Sequence, residues 1–309
     1  MTTKSRAEAV LFAATLIWGS TFTGVKLILG ELPAIQMVFW RMGFATLVVL
    51  LISRRSLFPL RSAQLAKGAI LGLLLFLGFC TQNIGMNYTT ASKSAFITGM
   101  MVIFVPLLQF IVERRAPKVG NVIGVLTVSV GLWFLTSPEG SAFNIGDALT
   151  LSCAFLFAIY IVYLDVVAHD LTAMQLTFLQ CATNAVLALV GMFLFETITF
   201  AWSGRTIAIL AYLTLFATVL TTYTQTRYQK DTTPTRAAVI FSIEPLIASV
   251  IAYFVLGERL GQLGILGGGL IILGVLTSEL SDQIPVLRRS MDWTEIMENP
   301  EPRMRNGDE

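Results

Sequence analysis

Ten stretches of this chain are too apolar and too long to be solvated by water. A helix crossing a bilayer needs about 20 mainly apolar residues, because about 30 Å of hydrocarbon is spanned at 1.5 Å per residue. Only helices or closed barrels satisfy their backbone polar groups there. The runs here are continuous, without the two-residue alternation of a barrel strand. They predict helices over residues 9–29, 34–53, 68–87, 92–112, 119–136, 147–166, 172–195, 206–226, 236–256 and 262–280. The charged fraction is 13%, about half that of a soluble domain. Helix-ending residues punctuate the short loops: Gly30 and Pro33, Pro59, Pro117, Pro138 and Gly140, Gly257 and Gly261. Lys4 and Arg6 would suit a signal peptide, but the first run exceeds the usual 7–15 residues and further spans follow.

The cations set an orientation. With the N-terminus placed inside, the inner segments hold 16 of the 21 Lys and Arg residues, whereas Lys26, Lys93, Arg205 and Arg259 fall at outer ends. Such an excess marks the cytoplasmic side, so both termini are expected in the cytoplasm of a bacterial inner-membrane protein. The polar tail, 282–309, carries Pro285, Pro300 and Pro302, with a short interfacial helix as an option over 284–297.

The chain also repeats itself. Thr89–Ala95 (TTASKSA) returns as Thr232–Ala238 (TTPTRAA), 143 positions later, and Gln82 matches Gln225 at the same offset. Ala34, Gln36 and Phe39 match Ala173, Gln175 and Phe178 at 139, as Glu8-Ala9 matches Asp147-Ala148. Glu113-Arg114 and Glu258-Arg259 follow at 145. A nearly constant offset across helix pairs predicts two five-helix halves, 1–139 and 140–281. Five is odd, so the second half starts on the opposite face. The expected fold is an all-α membrane protein with ten transmembrane helices as two inverted five-helix repeats. Such repeats typify secondary transporters, whose substrate site lies near the midplane between the halves.

Lys93 and Arg236 open helices whose N-termini already carry positive partial charge. Two readings stand: each end binds an anionic group, or the side chains snorkel to the interface. Ionisable groups within spans are functional candidates. Arg41 lies about 10 Å from the outer end and Glu244 about 12 Å from the inner end at 1.5 Å per residue, leaving about 8 Å of a 30 Å core between them. A direct pair is one option. Glu244 is a candidate proton carrier, or else an organiser of the kink at Pro245. The candidate substrate-binding residues are Trp18, Arg41, Gln82, Asn83, Asn87, Tyr88, Lys93, Tyr160, Gln180, Tyr223 and Gln225. Some of these are helix-to-helix glue, worth about 0.6 kcal/mol each. Gly120 with Gly124, and Gly264 with Gly268, form small-residue pairs that serve either packing within the chain or a dimer seam.

Trp18-Gly19-Ser20-Thr21-Phe22, Arg41, Ser242-Ile243-Glu244-Pro245 and Gly257-Glu258-Arg259 resemble segments of the drug/metabolite transporter superfamily, EamA type, over about residues 8–280. The resemblance implies a ten-helix permease, generally an exporter of amino acids or other small metabolites, without catalytic chemistry. Helix four departs from it: Phe104-Val105-Pro106 has no glutamate before its proline. The alternatives are a channel or scaffold, and a membrane-embedded enzyme. The latter lacks His-Glu-x-x-His, Gly-x-Ser-x-Gly and Gly-x-Gly-Asp, and its lone His169 lies in a loop. No Gly-x-x-x-x-Gly-Lys-Ser/Thr loop for ATP is present. Cys80, Cys153 and Cys181 have no metal spacing. The expected partners are a small-molecule substrate and the lipid bilayer, with no nucleic acid, no cofactor and no metal, in a monomer or homodimer.

Overall fold

Apolar side chains on every face leave a helix no aqueous side, so these helices pack into a bundle whose outer surface is also apolar. Phe12, Leu51, Val130, Trp133, Phe195 and Phe254 are among the large residues left exposed. The computed structural model describes residues 2–113, 118–136, 143–199, 202–259, 262–280 and 284. The tail expected over 282–309 lies outside them, Ile284 apart, as do Pro117, Pro138, Gly140 and Gly261.

The regular elements among the described residues are helices: α1 (Thr3–Ile28), α2 (Ala34–Leu57), α3 (Ser62–Gly85), α4 (Ala91–Gly99), α5 (Met101–Glu113), α6 (Val119–Thr136), α7 (Ile145–Val167), α8 (Ala173–Phe195), α9 (Gly204–Thr214), α10 (Thr221–Tyr228), α11 (Pro234–Phe241), α12 (Glu244–Leu256) and α13 (Gln262–Leu280). α4 with α5, and α11 with α12, form two crossings, each broken in the middle. α9 and α10 join through a π-turn, Leu215–Leu220. Among the described residues, eight crossings are long and apolar enough to span a membrane; α6 and α13 hold shorter apolar helices, Val119–Phe134 and Gln262–Ser278. These two pack on each other antiparallel. A Cβ on Gly124 would lie 2.8 Å from the Gly274 carbonyl, and one on Gly131 2.7 Å from that of Gly267. Gly124 therefore serves contact within the chain.

Following the hairpins, α1, α3, α6, α8 and α11 start at one end of the bundle, and α2, α4, α7, α9 and α13 at the other. Polar contacts at the two ends come in matched sets. Gln36 donates its amide to Thr199 O at 2.6 Å, and Gln175, 139 positions on, donates to Leu57 O at 3.2 Å. Glu31 pairs with Arg205 at 2.6 Å, and Asp170, again 139 on, with Lys67 at 2.5 Å. Thr90 caps the Lys93 amide and Thr233 that of Arg236. Each contact joins one half of the sequence to the other, apart from the caps, which are local.

Glu31 sits in the α1–α2 turn, outside the spans. Hydrogen bonds from Ser203 and Thr206, then from Arg205, lower its carboxyl from 4.5 to about 2. A depressed carboxylate stabilises the fold above its unfolded value and loses that contribution as pH falls from 4.5 towards about 2. Glu31→Gln is expected to melt lower than wild type at neutral pH, with the difference shrinking across that acid window. Parallel melting curves of the two proteins from pH 7 downward check this; a difference independent of pH would contradict it.

Candidate functional site

Pro245 has no N–H and cannot bond the Phe241 carbonyl one turn back. α11 ends there, and α12 restarts at Glu244. The other broken crossing restarts at Met101, and the two breaks touch: a Cβ on Gly99 would lie 2.8 Å from the Pro245 ring. Beside them lies a cavity of about 580 Å³, its open mouth included.

Its walls are built from corresponding positions of the two halves. Trp18 and Phe157 line it, as do Thr21 and Tyr160, each pair 139 apart. Phe79 and Thr222, Gln82 and Gln225, and Met101 and Glu244 line it at an offset of 143. Leu75, Ile161 and Phe241 complete the lining. The last pair is unequal. Only one half brings a carboxylate, and Met101 stands where its counterpart would be. Glu244 has no hydrogen-bond or ion-pair partner among the described residues.

The other polar linings are braced from behind. Tyr160 donates to Gln180 Oε1 at 2.8 Å, and Gln180 donates to Thr226 at 3.1 Å. Gln82 donates to Thr98 at 3.1 Å and Gln225 to Gln229 at 2.9 Å. Arg41 lies behind the wall. Its guanidinium stands 4.6 Å from the Phe79 ring centroid and donates to Thr218 Oγ1 at 2.6 Å and Ala217 O at 2.9 Å. Trp18 Nε1 donates to the same carbonyl at 3.3 Å. The π-turn exposes Ala217 O for both, because its register leaves a backbone acceptor without its usual helical donor. No Arg41–Glu244 pair forms; Arg41 is spent on the π-turn.

Lys93 does not line the cavity either. Its ammonium meets Asp147 Oδ2 at 2.7 Å, and Thr89 donates to Asp147 Oδ1 at 3.1 Å. The same cluster recurs at the other end: Arg236 Nε lies 2.8 Å from Glu8 Oε1, and Thr232 donates to Glu8 at 3.1 Å. Neither snorkelling nor a bound anion is needed to place these cations. The α4 terminus also carries its own anion, since Glu258 accepts from the Ala91 and Ser92 amides, both at 3.1 Å. Asn87 and Tyr88 are exposed in the α3–α4 turn, Asn83 is buried beside the wall, and Tyr223 is half-buried outside the lining.

From the expected residues, the structure thus gathers Trp18, Gln82, Tyr160, Gln225 and Glu244 at one cavity, with Arg41 and Gln180 supporting it. Sequence reasoning missed Phe157, Thr222 and Met101, although the repeat offset applied to Trp18, Phe79 and Glu244 points to them. It also missed the π-turn, which no proline or glycine announces in Leu215–Leu220.

The model of the EamA-like transporter family matches the chain twice, over residues 5–137 and 144–279. The chain belongs to the EamA-like transporter family. An uncharacterized transporter of Archaeoglobus fulgidus is 32% identical over 89% of this chain and 86% of its own length. The uncharacterized transporter YyaM of Bacillus subtilis is 25% identical over 89% and 94%, and the uncharacterized inner membrane transporter YedA of Escherichia coli is 25% identical over 86% and 88%. A crystal structure superposes with a TM-score of 0.73 at 17% identity, over 90% of this chain and 97% of that one; this likeness concerns the fold alone. Family membership and the apolar crossings together make the chain an integral membrane transporter.

Proposed function

We propose that this transporter is a secondary carrier of small metabolites of amino-acid size, working by alternating access between two inverted five-helix repeats, 1–139 and 140–281. The end where α1 starts is placed in the cytoplasm of a bacterial cell, with both termini there, because Arg54, Arg61, Lys67, Arg227 and Lys230 lie at that end. The resemblance favours export. The substrate contacts are Trp18, Gln82, Tyr160, Gln225 and Glu244, with Arg41 and Gln180 holding the wall.

The observation that carries this reading is the doubled ion-pair cluster. Thr89, Lys93 and Asp147 tie the halves together at the outer end; Thr232, Arg236 and Glu8 do so at the inner end. These two clusters are read as latches. Opening one end breaks one cluster and leaves the other intact, so a two-state rocking motion needs both, related by the repeat. Losing one partner of a buried pair leaves an uncompensated charge, worth about 3–5 kcal/mol, far more than the 1.4 kcal/mol that shifts a population tenfold.

Asp147→Asn is expected to raise maleimide labelling of a cysteine placed at Thr21 from the outer side, and Glu8→Gln to raise it from the inner side, in protein with its three native cysteines replaced. Equal effects of both variants on both sides would contradict the latches and the inversion together. For coupling, Glu244 is the proton carrier of choice; Cys153 on α7 feels its charge, and Tyr160 on α7 lines the same cavity. Glu244→Gln is expected to flatten the pH profile of counterflow in vesicles. An unchanged profile would clear Glu244 of that role.

A further inference from the structure

The carrier reading leaves the charge of the substrate open, and the cavity lining speaks to it. We infer that the cavity selects amphipathic amines, meaning a ring-sized apolar body bearing a protonated nitrogen, over acids and zwitterions of the same shape. This rests on the carrier reading only in treating the cavity as the substrate site.

Three features of the lining converge. Glu244 presents a carboxylate with no partner among the described residues. A charge on an apolar cavity wall without a counter-charge is unfavourable, and a bound ammonium relieves it. Among the described residues, no Lys, Arg or His lines the cavity. A cation near the wall, Arg41, stands behind the Phe79 ring, donating from Nε to Thr218 Oγ1 and from Nη2 to Ala217 O. A substrate carboxylate would therefore meet Glu244 with no cation among the described lining residues to offset the repulsion.

The uncharged polar linings point the same way. Gln82, Gln225 and Tyr160 each donate to a residue behind the wall, and Thr21 donates to the Trp18 carbonyl. Each Gln keeps one N–H, but the larger capacity left for a ligand is as acceptor: the side-chain carbonyls of Gln82 and Gln225 and the free lone pairs of the Tyr160 and Thr21 oxygens. An ammonium has only donors to give, so it complements them. The aromatic linings form two edge-to-face pairs, Trp18 with Phe241 at 5.3 Å and Phe79 with Phe157 at 5.4 Å between centroids. Each edge-to-face pair covers a face of only one of its rings, and Arg41 takes one face of Phe79; the faces that remain attract cations.

Three probes of one shape test this: 2-phenylethylamine, phenylalanine and 3-phenylpropionate. Each is titrated by calorimetry into the purified full-length protein in detergent at neutral pH. The amine is expected to bind saturably and at least about tenfold more tightly than the other two, the scale of one hydrogen bond to a charged group. Glu244→Gln is expected to weaken the amine by at least about the same factor, and Glu244→Asp, which keeps the charge, to restore most of it. Phenylalanine or 3-phenylpropionate binding as tightly as the amine, an amine affinity unchanged by Glu244→Gln, or no saturable amine binding would each overturn the inference. Counterflow of the same probes in vesicles separates this from the carrier reading. Amine binding without counterflow overturns the carrier and leaves the amine site standing. Counterflow of the acid or zwitterion without amine binding does the reverse.

Discussion

Hydrocarbon offers a polar group no hydrogen bond, so each charge carried into these helices is held by the protein or left uncompensated. The protein holds nearly all of those it buries. Arg41 is bonded to the π-turn, Asp147 to Lys93, and Glu8 to Arg236. Lys26 donates to the Met86 and Thr89 carbonyls at 2.5 and 2.7 Å. Even helix termini are closed by carboxylates of the chain, Glu258 over α4 and Glu196 over α2. Glu244 is the departure from this pattern, and it stands at the restart of a broken helix on the wall of the central cavity.

The same constraint explains why the contacts come in pairs. A bundle made of two similar halves meets the same polar problem twice, once at each end, and solves it with the residues at the repeat offset. Gln36 and Gln175, Glu31 and Asp170, and Lys93 and Arg236 each answer such a problem. The cavity is where the correspondence between the paired positions stops being faithful. Five pairs of its wall positions correspond between the halves, yet Met101 stands opposite the role that Glu244 fills alone. A single acid in a paired frame gives the site a polarity that duplication by itself would not.

Much of this was legible in the sequence, and the reason is the strength of its periodic signals. Apolar runs of helix length mark the crossings, and the offset marks the pairs. The doubled segment at Thr89 and Thr232 was visible as a repeat, but not what it touches. An offset states which residues correspond; it does not state that Lys93 meets Asp147 or that Arg236 meets Glu8, although all four were in matched segments. Arg41 was legible as a deep cation and not as the brace of Phe79, because its acceptor arises from a π-turn in an unbroken apolar stretch. Gln82, Tyr160 and Gln225 were legible because polar side chains are rare in such surroundings. Phe157 and Met101 were not, because apolar residues there are the rule.

The central claim is that one carboxylate, at Glu244, is left without a partner inside a bundle whose other described buried charges are ion-paired or hydrogen-bonded. Labelling with a lipophilic carbodiimide, which reacts with carboxyl groups in apolar surroundings, followed by peptide mass analysis, reads this directly. The account predicts modification at Glu244, with Glu8 and Asp147 shielded by Arg236 and Lys93. Modification of Glu8 or Asp147 with Glu244 left untouched would contradict it.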